Sequence, residues 1–169
     1  MRRILSNQCR IGRQEIELLC SFANAQLEQS RTNGLLRDKL LTLAECQLET
    51  LVQDPEVEAN DELLGFVFSR LGWVRIHLGK TREAKRAFIE ALTTLDRGKD
   101  CPARALSYWG LAKVFLRTGQ TEHAKEHLIN TLHACDSVGI LDKYPEIEDD
   151  LAQVEITADD LLRLRTSHL

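Results

Sequence analysis

Proline and aromatic side chains are scarce in this chain of 169 residues, which holds three prolines, two tryptophans, two tyrosines and five phenylalanines. Valine and isoleucine are also sparse beside leucine, alanine, glutamate, glutamine, lysine and arginine. β-Branched and aromatic residues are what fill a pleated surface, so their shortage argues against a sheet-rich fold and leaves helix as the default. No stretch approaches the roughly eighteen apolar residues of a membrane span. The opening "MRRILSNQCRIGRQ" is basic but has no apolar run behind it, so it does not read as a secretory signal, and the chain is expected to be cytoplasmic.

Excess positive charge is lacking too. A formal charge of −4 and a pI near 5.8 argue against nucleic acid as the main partner, because neutralising phosphates needs clustered Lys and Arg. No membrane partner is expected either. The five cysteines, Cys9, Cys20, Cys46, Cys101 and Cys135, are odd in number, scattered and free of any C-x-x-C pair. That excludes a disulfide framework and a four-thiolate zinc site and predicts small buried hydrophobes in a reducing compartment.

What is present is helical punctuation. Pro55, Pro102 and Pro145 each stand ahead of an amphipathic run, where a missing N–H costs nothing. Gly79 and Gly119 precede Thr81 and Thr121, predicting a left-handed residue that ends one helix and a threonine N-cap that starts the next. Asn33-Gly34 predicts a looser copy of this joint. Helices are expected at about 14–30, 35–53, 61–78, 81–97, 102–118, 121–137, 145–155 and 158–166, with a further turn in 2–11. Thr157 and Asp160 resemble a capping box for the last of these. Residues 54–61 read either as an irregular turn or as an extension of the third helix. No linker divides the chain, so one domain over residues 1–169 is expected.

The stretch "HLGKTREAKRAFIEAL", residues 77–92, contains Gly-Lys-Thr. A phosphate-binding loop would need a second glycine five positions earlier, where Val74 stands. Forty residues on, "RTGQTEHAKEHLINTL" repeats the glycine, the threonine and the small and apolar residues, with Gln120 in place of Lys80. The repeated chemistry is that of a helix–turn–helix joint. Antiparallel helices need small residues at closest approach and bulky ones alongside. Ala84/Ala124, Phe88/Leu128 and Ala91/Thr131 supply these in the second helix of each pair, and Leu71-Gly72 and Leu111-Ala112 in the first.

These residues resemble a tetratricopeptide repeat: Phe68, Leu71, Gly72, Ala84, Phe88 and Ala91 in one unit, then Tyr108, Leu111, Ala112, Phe115, Ala124 and Leu128 in the next. Ala44, Leu48 and Leu51 suggest an earlier unit. The period is forty rather than the family's thirty-four, and no proline closes the second helix. The resemblance implies an all-α fold, a right-handed superhelix of stacked antiparallel helix pairs, with repeats at roughly 14–53, 61–97 and 102–137 and capping helices in 145–166. The family's groove positions fall on Phe66, Ser69, Trp73, Ile76 and His77 in one unit and Leu106, Trp109, Lys113, Leu116 and Arg117 in the next, with Arg70 at the edge. Packing of Trp73 and Trp109 between adjacent repeats is the alternative reading. Ser69 and Trp73 stand where the family's carboxylate clamp needs Lys and Asn, so that activity is not implied.

Catalytic chemistry finds little support. His123 and His127 share a helix face at i and i+4 and could share a metal, but no third ligand is evident, and a solvated polar face is expected. The acidic run of residues 142–160 has no apolar pocket to tune its carboxylates and is expected to cap the open end of the stack. It can also lie over the basic groove of Arg70, Lys113 and Arg117. No catalytic residue, metal or cofactor is therefore expected. The expected function is a non-enzymatic module that binds another protein or peptide, an acidic one fitting the cations, with self-association left open. The alternative is a sensory or oligomerisation domain of a regulatory system, receiving a small ligand or signal peptide.

Overall fold

In the computed structural model, which describes residues 37–95 and 100–156, every regular element is a helix. The order is α1 (Arg37–Val52), α2 (Pro55–Glu58), α3 (Asp61–His77), α4 (Thr81–Thr94), α5 (Pro102–Arg117), α6 (Thr121–Val138), a 3-10 turn (Leu141–Lys143) and α7 (Glu146–Gln153). The helices expected at 14–30 and 158–166, the turn in 2–11, the Asn33-Gly34 joint and the Thr157 capping box lie outside the described residues.

Residues 54–61 are neither an irregular turn nor an extension of the following helix. Asp54 accepts a hydrogen bond from the Glu56 amide at 2.8 Å and opens the single turn α2, with Pro55 at its first position. Asn60 then caps α3 by accepting from the Leu63 amide at 3.1 Å.

Gly79 and Gly119 adopt the expected left-handed conformation, with φ of 74° and 71°. The expected threonine N-caps do not form. Thr81 and Thr121 are instead the first residues of their helices, preceded by Lys80 and Gln120. The reason is that each joint is as short as it can be. The Lys80 amide closes α3 on the Arg75 carbonyl at 2.9 Å, and the Lys80 carbonyl opens α4 by accepting from Ala84 at 2.9 Å. Gln120 does the same between Phe115 and Ala124. A single residue therefore ends one helix and begins the next.

α3 packs on α4, and α5 packs on α6; α5 also contacts both α3 and α4, and α1 lies against α3. Within the α3–α4 pair Gly65 faces Leu95 while Gly72 faces Phe88, so the two helices run antiparallel. The forty-residue echo reappears as burial. Ala44, Ala84 and Ala124 are fully buried, as are Leu48, Phe88 and Leu128, and Leu51, Ala91 and Thr131 are buried to within 1%. Phe88 is the wedge between the pairs. Its ring fills the space that a Cβ would need at both Gly72 of α3 and Gly110 of α5.

The lysine of Gly-Lys-Thr belongs to the scaffold. Lys80 pairs with the buried Glu45 of α1 at 2.5 Å, and Arg75 joins them through Glu45 at 3.2 Å and Glu49 at 2.7 Å. The expectation of buried cysteines holds for Cys135 alone among the described residues: Cys101 is half-buried and Cys46 is exposed, because it lies on the outer face of α1.

Candidate partner-binding face

The residues assigned to the groove run along α3 and α5. Between the two helices, Ser69 is fully buried and donates to the Ala103 carbonyl at 3.2 Å, while Leu106 and Ile76 are each 2% exposed. These three form the helix–helix seam. Toward one end Phe66 and Arg70 sit together, the guanidinium 5.0 Å from the ring centroid. Phe66 also lines an apolar cavity of about 270 Å³ with Leu63, Leu95 and Pro102.

Toward the other end Trp73, Trp109, Lys113, Leu116 and Arg117 converge. The two indoles lie 4.7 Å apart at 55°, and Trp73 meets Phe88 edge-on at 5.8 Å. Trp73 is half-buried and donates its Nε1 proton to the Leu106 carbonyl at 3.2 Å. Trp73 thus packs between helix pairs and keeps part of its surface open. Trp109 is 5% exposed. Its Nε1 proton goes to Asp150 Oδ2 at 2.6 Å, and Lys113 Nζ stands 2.6 Å from the same oxygen and 5.0 Å from the Trp109 ring centroid. One carboxylate is therefore held by an indole N–H and an ammonium together, the short charge-assisted geometry that makes such contacts strong.

Asp150 is carried by α7, whose Ile147 and Val154 are buried in the same cluster as Trp109; Tyr144, just ahead of α7, packs 5.8 Å from that indole. The acidic C-terminal segment thus covers the Trp109–Lys113 part of the face. It does so incompletely. An open cleft of about 260 Å³ remains, lined by Lys113, Leu116, Arg117, Asp150 and Gln153. Arg117 is exposed and gives one guanidinium proton to the Ile76 carbonyl at 2.8 Å, which neutralises the C-terminal end of α3. His77, at that same end, is half-buried, and its carbonyl accepts from Arg37 at 3.2 Å.

Sequence reasoning missed Asp150, Tyr144 and Gln153. The acidic run was visible, but which of its carboxylates turns inward depends on how α7 sits against α6. The signal was the apolar spacing of Ile147, Leu151 and Val154, which places Asp150 on the buried stripe.

Of the pair expected to form a solvated face, His123 is exposed, whereas His127 is half-buried. Both imidazoles stack on Phe115 at 5.2 Å, and Lys85 Nζ lies 4.5 Å from the same ring centroid. His127 is half-buried, with Nδ1 shielded from solvent and without a hydrogen-bond partner. Burial holds its pKa below the ordinary value of 6.5; Glu126 opposes this, while His123 and Lys85 reinforce it. Among the described residues no group of three His, Cys, Asp or Glu side chains is arranged to hold a metal ion, and no helix is long and apolar enough to cross a membrane. The chain matches no protein-family model, no curated protein and no solved structure.

Proposed function

We propose that the chain is a non-enzymatic interaction module built as a tetratricopeptide-like solenoid, and that its α3–α5 face receives a carboxylate-bearing segment of another protein. The observation that carries this reading is the seat of Asp150, where Trp109 and Lys113 close on one carboxylate while Trp73, Leu116 and Arg117 extend the same face toward solvent. Tryptophan and arginine contribute most to protein contacts, and a mixed indole–cation surface suits an acidic peptide. The recurrence of buried positions at forty-residue intervals supports the solenoid. The sensory reading has less behind it. The apolar cavity beside Phe66, of about 270 Å³, is at the small end of small-molecule sites.

Selection of peptides from a displayed random library on the full chain tests the proposal. Enriched peptides should carry more Asp and Glu than the input and should lose binding to a Lys113→Glu, Arg117→Glu variant. Enrichment indifferent to those charges, or none at all, would count against it.

A further inference from the structure

We infer that α7 is a built-in competitor for the partner face, and that the segment it stands in for is an acidic amphipathic helix. This rests on the protein-binding reading above and names the chemistry of the partner.

α7 rests against α6, and its inward stripe is Ile147, Asp150 and Leu151, continued by Val154 just past its end, the i, i+3, i+4, i+7 spacing of a helix docked in a groove; Asp150 brings that stripe to Trp109 and Lys113 of α5. Ile147 is fully buried and Val154 5% exposed, and from the middle of the stripe Asp150 meets both Trp109 and Lys113. Outside it, Glu146, Glu148 and Asp149 are exposed, so the helix presents negative charge on its flanks. The face it meets is the complement: apolar around Trp109, cationic at Lys113 and Arg117.

α7 is held by this stripe rather than by its own length. It has eight residues and no side-chain N-cap hydrogen bond. Helices shorter than about twelve residues are marginal alone, so its helicity depends on the face that it covers. Left-handed backbone bounds the segment at Gly139, with φ of 63°, and at Glu155, with φ of 45°. Glu155 is not a glycine and is strained in that conformation. A partner helix that offers the same stripe over a greater length would cover Lys113 and fill the cleft at Arg117 and Leu116 that α7 leaves open. The partner class is therefore a helix reading apolar-x-x-Asp/Glu-apolar-x-x-apolar, with further acidic residues outside the stripe.

A fluorescein-labelled peptide of residues 140–156, titrated into the full chain by anisotropy, tests this. Because a charge-assisted contact is worth about 1.5–3 kcal/mol, Asp150→Asn in the chain should raise affinity for the unaltered peptide about tenfold or more. Equal affinity for the unaltered and Asp150→Asn chains would overturn the inference. A charge swap covers the case in which that variant fails to fold. A peptide carrying Asp150→Lys should bind a Lys113→Glu chain more tightly than the unaltered peptide does, and the reverse order would also overturn it. Library peptides that bind the face while α7 peptides ignore Asp150 would remove the competitor and leave the protein-binding reading standing.

Discussion

Phe88 of α4 occupies the volume that a side chain at Gly110 of α5 would need. This contact links one helix pair to the next, since the ring also fills the gap at Gly72 on its own partner helix. A Cβ at Gly110 would lie 2.2 Å from the Phe88 ring, so Gly110→Ala forces that ring to move. Overpacking costs about 1–3 kcal/mol, more than the methyl returns in helix propensity. Urea denaturation should show a lower midpoint for Gly110→Ala, and an unchanged or raised midpoint would show that the ring is not so confined.

Glu45 is the buried member of an ion cluster that ties α1 to the α3–α4 joint. Glu45→Gln leaves Lys80 unpaired and Arg75 with Glu49 alone, at an expected loss of about 1–3 kcal/mol after allowing for the partial exposure of both cations. Lys80→Met should cost less, because Glu45 retains Arg75. Thermal melts of both variants, compared in high salt, check the order.

His127 makes stability depend on pH. Its folded pKa lies below 6.5, so between the two values the unfolded chain binds more protons than the native one. Stability is thus full above the unfolded value and falls as the pH drops from about 6.5 toward the folded value. His127→Gln should flatten this part of the profile, measured by denaturation at about pH 7.5 and pH 5.5. A fall of equal size in the variant would assign it to other groups.

The thiols differ in the same way. Cys46 is exposed, whereas Cys135 is buried and its pKa is raised by that burial. Because the thiolate is the reactive form, mass-spectrometric mapping of alkylation should find Cys46 modified well before Cys135. Equal rates would mean that α6 opens readily.

The helices and their joints were legible because they rest on local chemistry. Left-handed Gly79 and Gly119 are written in the sequence, and so is the recurrence of Ala84 and Ala124, because a position forty residues away repeats the same environment. The threonine caps were misread because Lys80 and Gln120 serve two helices at once, an economy that composition does not reveal. The small residue at Gly72 and the bulky one at Phe88 were visible as the close-packing chemistry of an antiparallel pair, and they do meet. Gly110 was not visible in this way, since its partner lies in the preceding repeat.

The candidate face was legible in part. Trp73, Trp109 and Lys113 were named from the groove positions that the tetratricopeptide resemblance implies, and α3 and α5 bring them together. Asp150 lies forty-one residues from Trp109, and its place depends on how α7 sits against α6. The stacking of His127 on Phe115 likewise needs the α5–α6 crossing to be known, so two histidines spaced for a shared metal proved to be ring partners.

The chain has two tryptophans, so its proton–nitrogen spectrum carries two indole signals, and the Asp150→Asn variant identifies that of Trp109. Titration with an acidic peptide recovered by selection should move the Trp109 signal most and that of Trp73 with it, with the same dissociation constant. Tight binding that leaves both indole signals in place would put the partner elsewhere and contradict the assignment of the α3–α5 face.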